Sequence, residues 1–432
     1  MSPGSIVPLI GLVSVAVAVP LLLPRLTILM SLGWIILVRP GEELISMGLA
    51  GSTLSEVDLL LIAGLVASIR LYLKRANSAG PQLIWAPLLA WPLWLLLRSA
   101  FPVLGNVDTT GPVIDLRIIA TFLALIPLGV IARRYGGTYL ARWVCYLAYG
   151  TCFVAVVSWV LRVLGVLEPG AYALVNVSSS AAGDIRPGGE ILIPVLAILL
   201  AFGKAPLLLN SKILSFALVI LEILISQTLS IVLAAAVGIA FGLILNWRHT
   251  SLTLRALSLI AVLTTALLAG GAIGSESRFN LLARADEASA NYRVTEMATV
   301  GRIVSEDPIT MLIGSGPGSM VIFSGEDISE KKRDTHNVYV NILLKSGSIG
   351  ILLFSIPYFT LCVRLYRTNH PLARSMIAVL AAIAFVSISV PFLWSSGGLL
   401  ALLAIVTAAR WPHPPKSWLT EKGADATRRK TL

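Results

Sequence analysis

An all-α bundle that crosses a membrane many times is the fold class this sequence predicts, and three observations predict it. The chain of 432 residues is 56% hydrophobic and only 13% charged, where soluble domains carry about 25% charge. Its mean hydropathy is +0.87. The apolar residues fall in runs long enough, or nearly long enough, to span a bilayer as helices.

Those runs lie at 5–23, 26–38, 57–73, 82–101, 113–132, 140–166, 189–203, 211–226, 228–246, 253–273, 338–363, 373–393 and 397–410. They predict about 12 or 13 transmembrane helices, a polytopic bundle. The first run lacks a basic leader and is interrupted by Pro20, so it reads as a retained segment and not a cleaved signal. Gln227 and Thr228 separate two runs, as a tight turn or as a break in one helix. Lys and Arg collect at 70–75, 133–142, 204–212, 247–255, 364–374 and the C-terminal tail, which reads these segments as cytoplasmic. The net charge of +11 is thereby explained without a nucleic acid partner. Cys145 and Cys152 share one predicted helix and Cys362 lies on another, so a disulfide framework is not expected.

The alternate segments then face outward, and two of them exceed a connector in length and charge. The chain divides into helices at 1–273 with an external loop at 168–188, a large external loop at 274–337, helices at 338–411, and a cytoplasmic tail at 412–432. Within the large loop, "RADEASANYRVTEMATVGRIVSEDP" (284–308) places Val294, Met297, Val300 and Val304 three or four apart. That is an amphipathic helix, ended by Pro308.

The residues that could carry chemistry cluster on this external side. His336 stands among Asp334, Thr335 and Asn337, all helix-capping types, before a long apolar run. It is either a solvated helix end or a general base, since a helix N-terminus disfavours imidazolium and favours anions. His249, His370 and His413 fall in cytoplasmic segments, so no metal site is expected around His336. Arg186, Arg278, Arg284, Arg293 and Arg302 occupy the external loops, against the positive-inside trend. They form salt bridges with Asp184, Glu276, Asp286, Glu287 and Glu296, or present guanidinium forks to a pyrophosphate. Arg186 and Arg293 are the strongest candidates for the second role. "GSGPGS" (314–319) lacks the Gly-Lys-Ser/Thr of a nucleotide loop and reads as a tight turn. Asn337, Asn341 and Lys345 recur every four residues, a polar stripe for interhelical hydrogen bonds or for a sugar headgroup.

Taken together, Arg293, "PITMLIGSGPGSM" (308–320) and "THNVYVNILLKSGSIGILLF" (335–354) resemble the O-antigen ligase and polymerase superfamily. Its members carry an external loop with R…G-x-G-P-G, then H-N-x-Y and an L-x-x-x-G-x-x-G pattern at the next helix. The resemblance covers about 70 residues closely, and the multi-span layout loosely. It implies a metal-independent glycosyltransferase without cofactors in a bacterial inner membrane, its site facing outward. It also implies an undecaprenyl-pyrophosphate-linked glycan donor and a glycan or glycolipid acceptor. By that resemblance His336 activates the acceptor hydroxyl, Arg186 and Arg293 hold the pyrophosphate, and Arg278 is a weaker match. Asn337 and Asn341 would line the substrate groove. Lys345 stands where relatives often have an acidic residue, which leaves that position's role open. "IRPGGE" (185–190) lacks the Asn-x-Asn often seen in ligases, which favours a repeat-unit polymerase slightly over a ligase.

A transporter or flippase of lipid-linked sugars is the rival reading. It predicts paired halves and a charge series at mid-membrane, neither of which the sequence displays. A structural scaffold of the envelope leaves the large loop unexplained.

Overall fold

The computed structural model describes residues 86–99, 135–166, 177–179, 185–187, 189–226, 228–246, 288–324, 329–332, 335–368, 370–390 and 396–410, with scattered positions before 133. The expected spans at 26–38, 57–73 and 253–273, and most of those at 5–23 and 113–132, lie outside these residues, and with them the total helix count. The protein is an all-α membrane protein. The strands among its described residues form three two-stranded antiparallel ladders.

Two helices have the length and composition to cross a bilayer. Helix α2, Gly137–Val163, has 27 residues and helix α8, Val338–Arg367, has 30, against the 20 or so that about 30 Å of hydrocarbon requires. Around them pack α1 (Ala90–Ser99), α3 (Ile193–Ala201), α4 (Lys212–Ser226), α5 (Leu229–Asn246), α9 (Pro371–Val386) and α10 (Ser396–Arg410). Helix α9 is the centre of the core. Its Ala373, Met376, Ile377, Ala378, Val379 and Ile383 are buried all round its circumference, as expected of a helix with no polar face. Pro371 opens it at the first turn, and the His370 ring nitrogen Nδ1 accepts from Leu372 N at 3.2 Å. Small residues set the packing distance: a side chain at Gly238 or Gly242 of α5 would strike Ile198 or Phe202 beyond α3 and Ala378 or Ala382 of α9.

The run at 189–203 is a half-length element. With its preceding 3-10 turn it spans Glu190–Ala201, too short for a straight crossing. Gly189 abuts Thr151, and Pro206 O accepts from Tyr149 Oη at 2.9 Å, so α3 lies beside the middle of α2. Thr228 Oγ1 donates to Ser226 O at 3.3 Å, and the two runs flanking it are separate helices, α4 and α5.

The segment between α5 and α8 is folded where it is described, and carries the helix its periodicity predicts. Helix α6 is Ala288–Ser305 and α7 is Pro308–Ile313. Pro308 ends the first and also begins the second, a position where its missing N–H costs nothing. Asp307 caps α7 by accepting from Thr310 N at 2.8 Å, and that backbone bond, with a second from the Thr310 hydroxyl, lowers its pKa. The cap therefore contributes above the ordinary aspartate range and fades as pH falls through the lowered value. A hairpin of Val321–Ser324 and Ser329–Lys332 closes the loop. Val300 and Val304 of α6 pack with Val321 and with Leu344 of α8. Each such side chain contributes about 1.5–3 kcal/mol on burial. Val294 and Met297, the outer half of the same stripe, stay 59% and 38% exposed, so only two of its turns are used to dock the loop.

Candidate functional site

The site is built where α6 meets the start of α8. Asn337 is the N-cap of α8: its Oδ1 accepts from Tyr339 N at 2.9 Å and Val340 N at 3.2 Å. Thr335 Oγ1 donates to Asn337 O at 2.8 Å, and Val338 N donates to Ser387 O at 2.9 Å. These bonds anchor the segment before the helix to α9 as well as to α8. His336 is thus held on a main chain with little freedom.

Its side chain meets Glu296, one turn after Arg293 on α6. Glu296 Oε2 accepts from His336 N at 3.1 Å, and Glu296 Oε1 lies 3.3 Å from His336 Nδ1. The carboxylate side chain is 1% exposed and the imidazole 43% exposed. A carboxylate can only accept, so in the neutral ring the facing Nδ1 is the nitrogen that carries the proton and Nε2 the one with the lone pair. One of the two readings of the loop arginines paired them with acidic residues that included Glu296. The structure turns it inward to His336 instead, because α6 buries the face that carries Val300 and Glu296.

The expected arginines fall in three categories. Arg293 is exposed on α6, three residues and so about one turn from Glu296. Arg186 lies on a strand, Ile185–Pro187, paired antiparallel with Val177–Ser179 and opposite Ser178. That strand packs against α2 and α4. Arg278 and Arg284 lie outside the described residues, as does Asp334. Arg302 is exposed at the end of α6.

Helix α8 is broken at Gly347, whose backbone has φ 64° and ψ −165°. A break in lipid must satisfy the carbonyls it frees. Ser315 N donates to Leu344 O at 2.7 Å, and Trp94 Nε1 donates to Ser346 O at 3.3 Å. Trp91 Nε1 donates to Ser346 Oγ at 3.1 Å. "GSGPGS" is thus the turn its residues suggest, folded onto the break: the backbones of Gly314 and Gly347 approach so closely that a Cβ on either would strike the other's neighbourhood.

Arg98, in the last turn of α1, clamps this turn. Its Nε donates to Ile313 O at 3.1 Å and its Nη2 to Gly314 O at 3.1 Å, in a side chain 4% exposed. Sequence reasoning passed over Arg98, although a cation at the predicted outer end of a span was a signal of the same kind as the loop arginines. Asn341 and Lys345 complete the polar stripe below Asn337, and all three are buried, at 1%, 2% and 8% exposure respectively. The stripe faces protein.

Chemically, the arrangement offers an oriented imidazole beside an arginine-bearing helix, at the start of a long apolar helix broken at Gly347. Among the described residues no group of three His, Cys, Asp or Glu side chains has metal-binding geometry. Residues 214–355 match the family model described as O-antigen ligase, which supports membership of the O-antigen ligase and polymerase superfamily. The match contains His336, Glu296 and Arg293 and stops short of Arg186 and Arg98. No curated protein matches the chain.

Proposed function

We propose, for a chain carrying the O-antigen ligase domain over residues 214–355, that it transfers glycan from an undecaprenyl-pyrophosphate-linked donor to an acceptor hydroxyl on the outer face of the bacterial inner membrane. The family supports a membrane glycosyl-transfer function in general terms. The observation that carries the finer reading is the half-exposed imidazole of His336, held with its Nδ1 against the buried carboxylate of Glu296.

In this reading Nε2 of His336 takes the proton of the acceptor hydroxyl as that oxygen bonds to the anomeric carbon. The bond from that carbon to the phosphate oxygen breaks, and undecaprenyl pyrophosphate departs with the electron pair. Pyrophosphate is a good leaving group, so a base and a positive clamp suffice. Arg293 and Arg186 supply the clamp, with Arg278 as a further candidate. Asn337 is occupied as a helix cap, so its part is to hold His336 in place. The lipid tail approaches along α7, where Ile309, Met311 and Leu312 are 60%, 54% and 52% exposed beside α8. An acceptor that is a growing glycan, as in a repeat-unit polymerase, is slightly favoured over a lipid A-core acceptor by the "IRPGGE" loop.

Purified protein incubated with lipid-linked glycan and acceptor tests the reading. Elongated or transferred product is expected, and movement of donor between leaflets without product would make the protein a transporter. The same reaction in EDTA is expected to proceed at full rate, because guanidinium groups supply the charge a metal would otherwise provide. Inhibition by EDTA with recovery on adding Mg²⁺ or Mn²⁺ would overturn metal independence.

Donor binding separates the arginines from the histidine. Arg293→Ala and Arg186→Ala are each expected to weaken undecaprenyl pyrophosphate binding about 10- to 150-fold, the worth of a charge-assisted contact of about 1.5–3 kcal/mol. Lysine at either position restores charge without the bidentate fork and should recover part of that loss. Affinities equal to wild type would return both arginines to salt bridging.

A further inference from the structure

We infer that Glu296 is the positioning residue of the transfer reaction: it fixes the tautomer of His336 and ties the base to the helix that carries Arg293. The inference rests on the reading of His336 as general base and names the group that makes it one.

The geometry supports it in three ways. Glu296 is 1% exposed, although a carboxylate is rarely buried without a polar partner. It reaches His336 through two different donors, the main-chain N–H at 3.1 Å and the ring Nδ1 at 3.3 Å. Two acceptor oxygens on one side chain therefore fix both the position of the residue and the rotation of its ring. The helix packing holds the carboxylate in register, since Val300 and Val304 lie on the buried side of the same helix, against Leu344 of α8.

A neutral imidazole has one donor and one acceptor nitrogen, and free in water it exchanges between tautomers. Facing a carboxylate, Nδ1 must be the donor. Nε2 is then the acceptor, on a ring that is 43% exposed, and receives the proton of the acceptor hydroxyl. As that proton transfers to Nε2, the ring becomes a cation and the adjacent carboxylate stabilises it. The proton leaves Nε2 for solvent when product departs. Because Arg293 is about one turn from Glu296 on α6, one rigid element sets the distance between the donor's phosphate and the base.

Glu296→Gln tests this with little change in size. Glutamine has one acceptor oxygen for two donors, so its amide N–H₂ must oppose either the main-chain N–H or Nδ1. Either outcome disturbs the ring, and the second selects the tautomer that cannot accept at Nε2. Full-length protein in detergent, with undecaprenyl-pyrophosphate-linked glycan as donor, is expected to lose about 10- to 100-fold in kcat while the donor KM changes less than about twofold. Glu296→Asp keeps the charge but not the reach, and should retain more activity than the glutamine variant. If the glutamine variant does not fold, the aspartate variant decides alone, through a lowered kcat at unchanged KM.

In a His336→Ala background, Glu296→Gln should cause no further loss, because a residue acting through the ring has nothing left to act on. Wild-type kcat in Glu296→Gln, or an additional loss in the double variant, would reduce Glu296 to a packing role. These results leave the base assignment standing if His336→Ala is itself inactive. An active His336→Ala would overturn both.

Discussion

His336→Ala is expected to lower kcat by about 10² to 10⁴, the range that a positioned general base contributes, with donor affinity and folding nearly unchanged. The side chain is 43% exposed, so its removal opens no core cavity. The main-chain bond from residue 336 to Glu296 survives the substitution, since the backbone N–H makes it. Asn337 continues to cap α8 and Val338 continues to donate to Ser387 O. The segment should therefore hold its shape around a missing ring. Undecaprenyl pyrophosphate binding to the purified variant provides the control, because the arginine clamp is intact. Full turnover in a monodisperse sample would remove His336 from the chemistry altogether.

The second large effect is structural and lies away from the base. Gly347→Ala should both destabilise the protein and abolish most transfer. Its backbone occupies a region with φ 64° and ψ −165° that side-chain-bearing residues reach at a cost of about 1–3 kcal/mol. A Cβ there also meets the carbonyl of Leu312 and the amide of Gly314, backbone atoms that cannot rotate aside. Relief requires α7 and its following turn to move off α8, which breaks the bond from Ser315 N to Leu344 O. Since α7 follows directly on α6, the displacement carries to Glu296 and so to His336.

Gly301→Ala on α6 is the matched control. A Cβ at that site meets nothing within 4 Å, and alanine within a helix is favoured over glycine by about 0.5–1 kcal/mol. A lowered unfolding temperature in detergent and lost activity for Gly347→Ala, against unchanged or raised values for Gly301→Ala, is the expected pattern. Equal behaviour of the two variants would show that the close approach is not required.

Much of the site was legible in the chain because its signals are local. Capping residues immediately before a long apolar run place His336 at a helix start, whatever surrounds it. The spacing of Val294, Met297, Val300 and Val304 reveals α6, and three glycines in "GSGPGS" reveal a turn. The partner of His336 was not legible. Glu296 precedes it by 40 residues, and a carboxylate among five loop arginines reads equally well as an ordinary salt bridge. Arg98 is 216 residues from Gly314, whose carbonyl it binds, and nothing in the local pattern pairs them.

The sequence by itself determined the solvent of this protein, its helical class and its resemblance to the O-antigen ligase family, because hydropathy, capping and glycine motifs act over a few residues along the chain. Only the tertiary structure decided that Glu296 faces His336, that α8 is broken at Gly347, and that Arg98 and two tryptophans of α1 close the break. The reason is physical. A buried carboxylate, or a carbonyl freed in lipid, must find a partner, but which partner it finds depends on which helices pack together. That choice is made by apolar surfaces such as the one joining Val300 and Val304 to Leu344, whose fit exists only once the chain has folded.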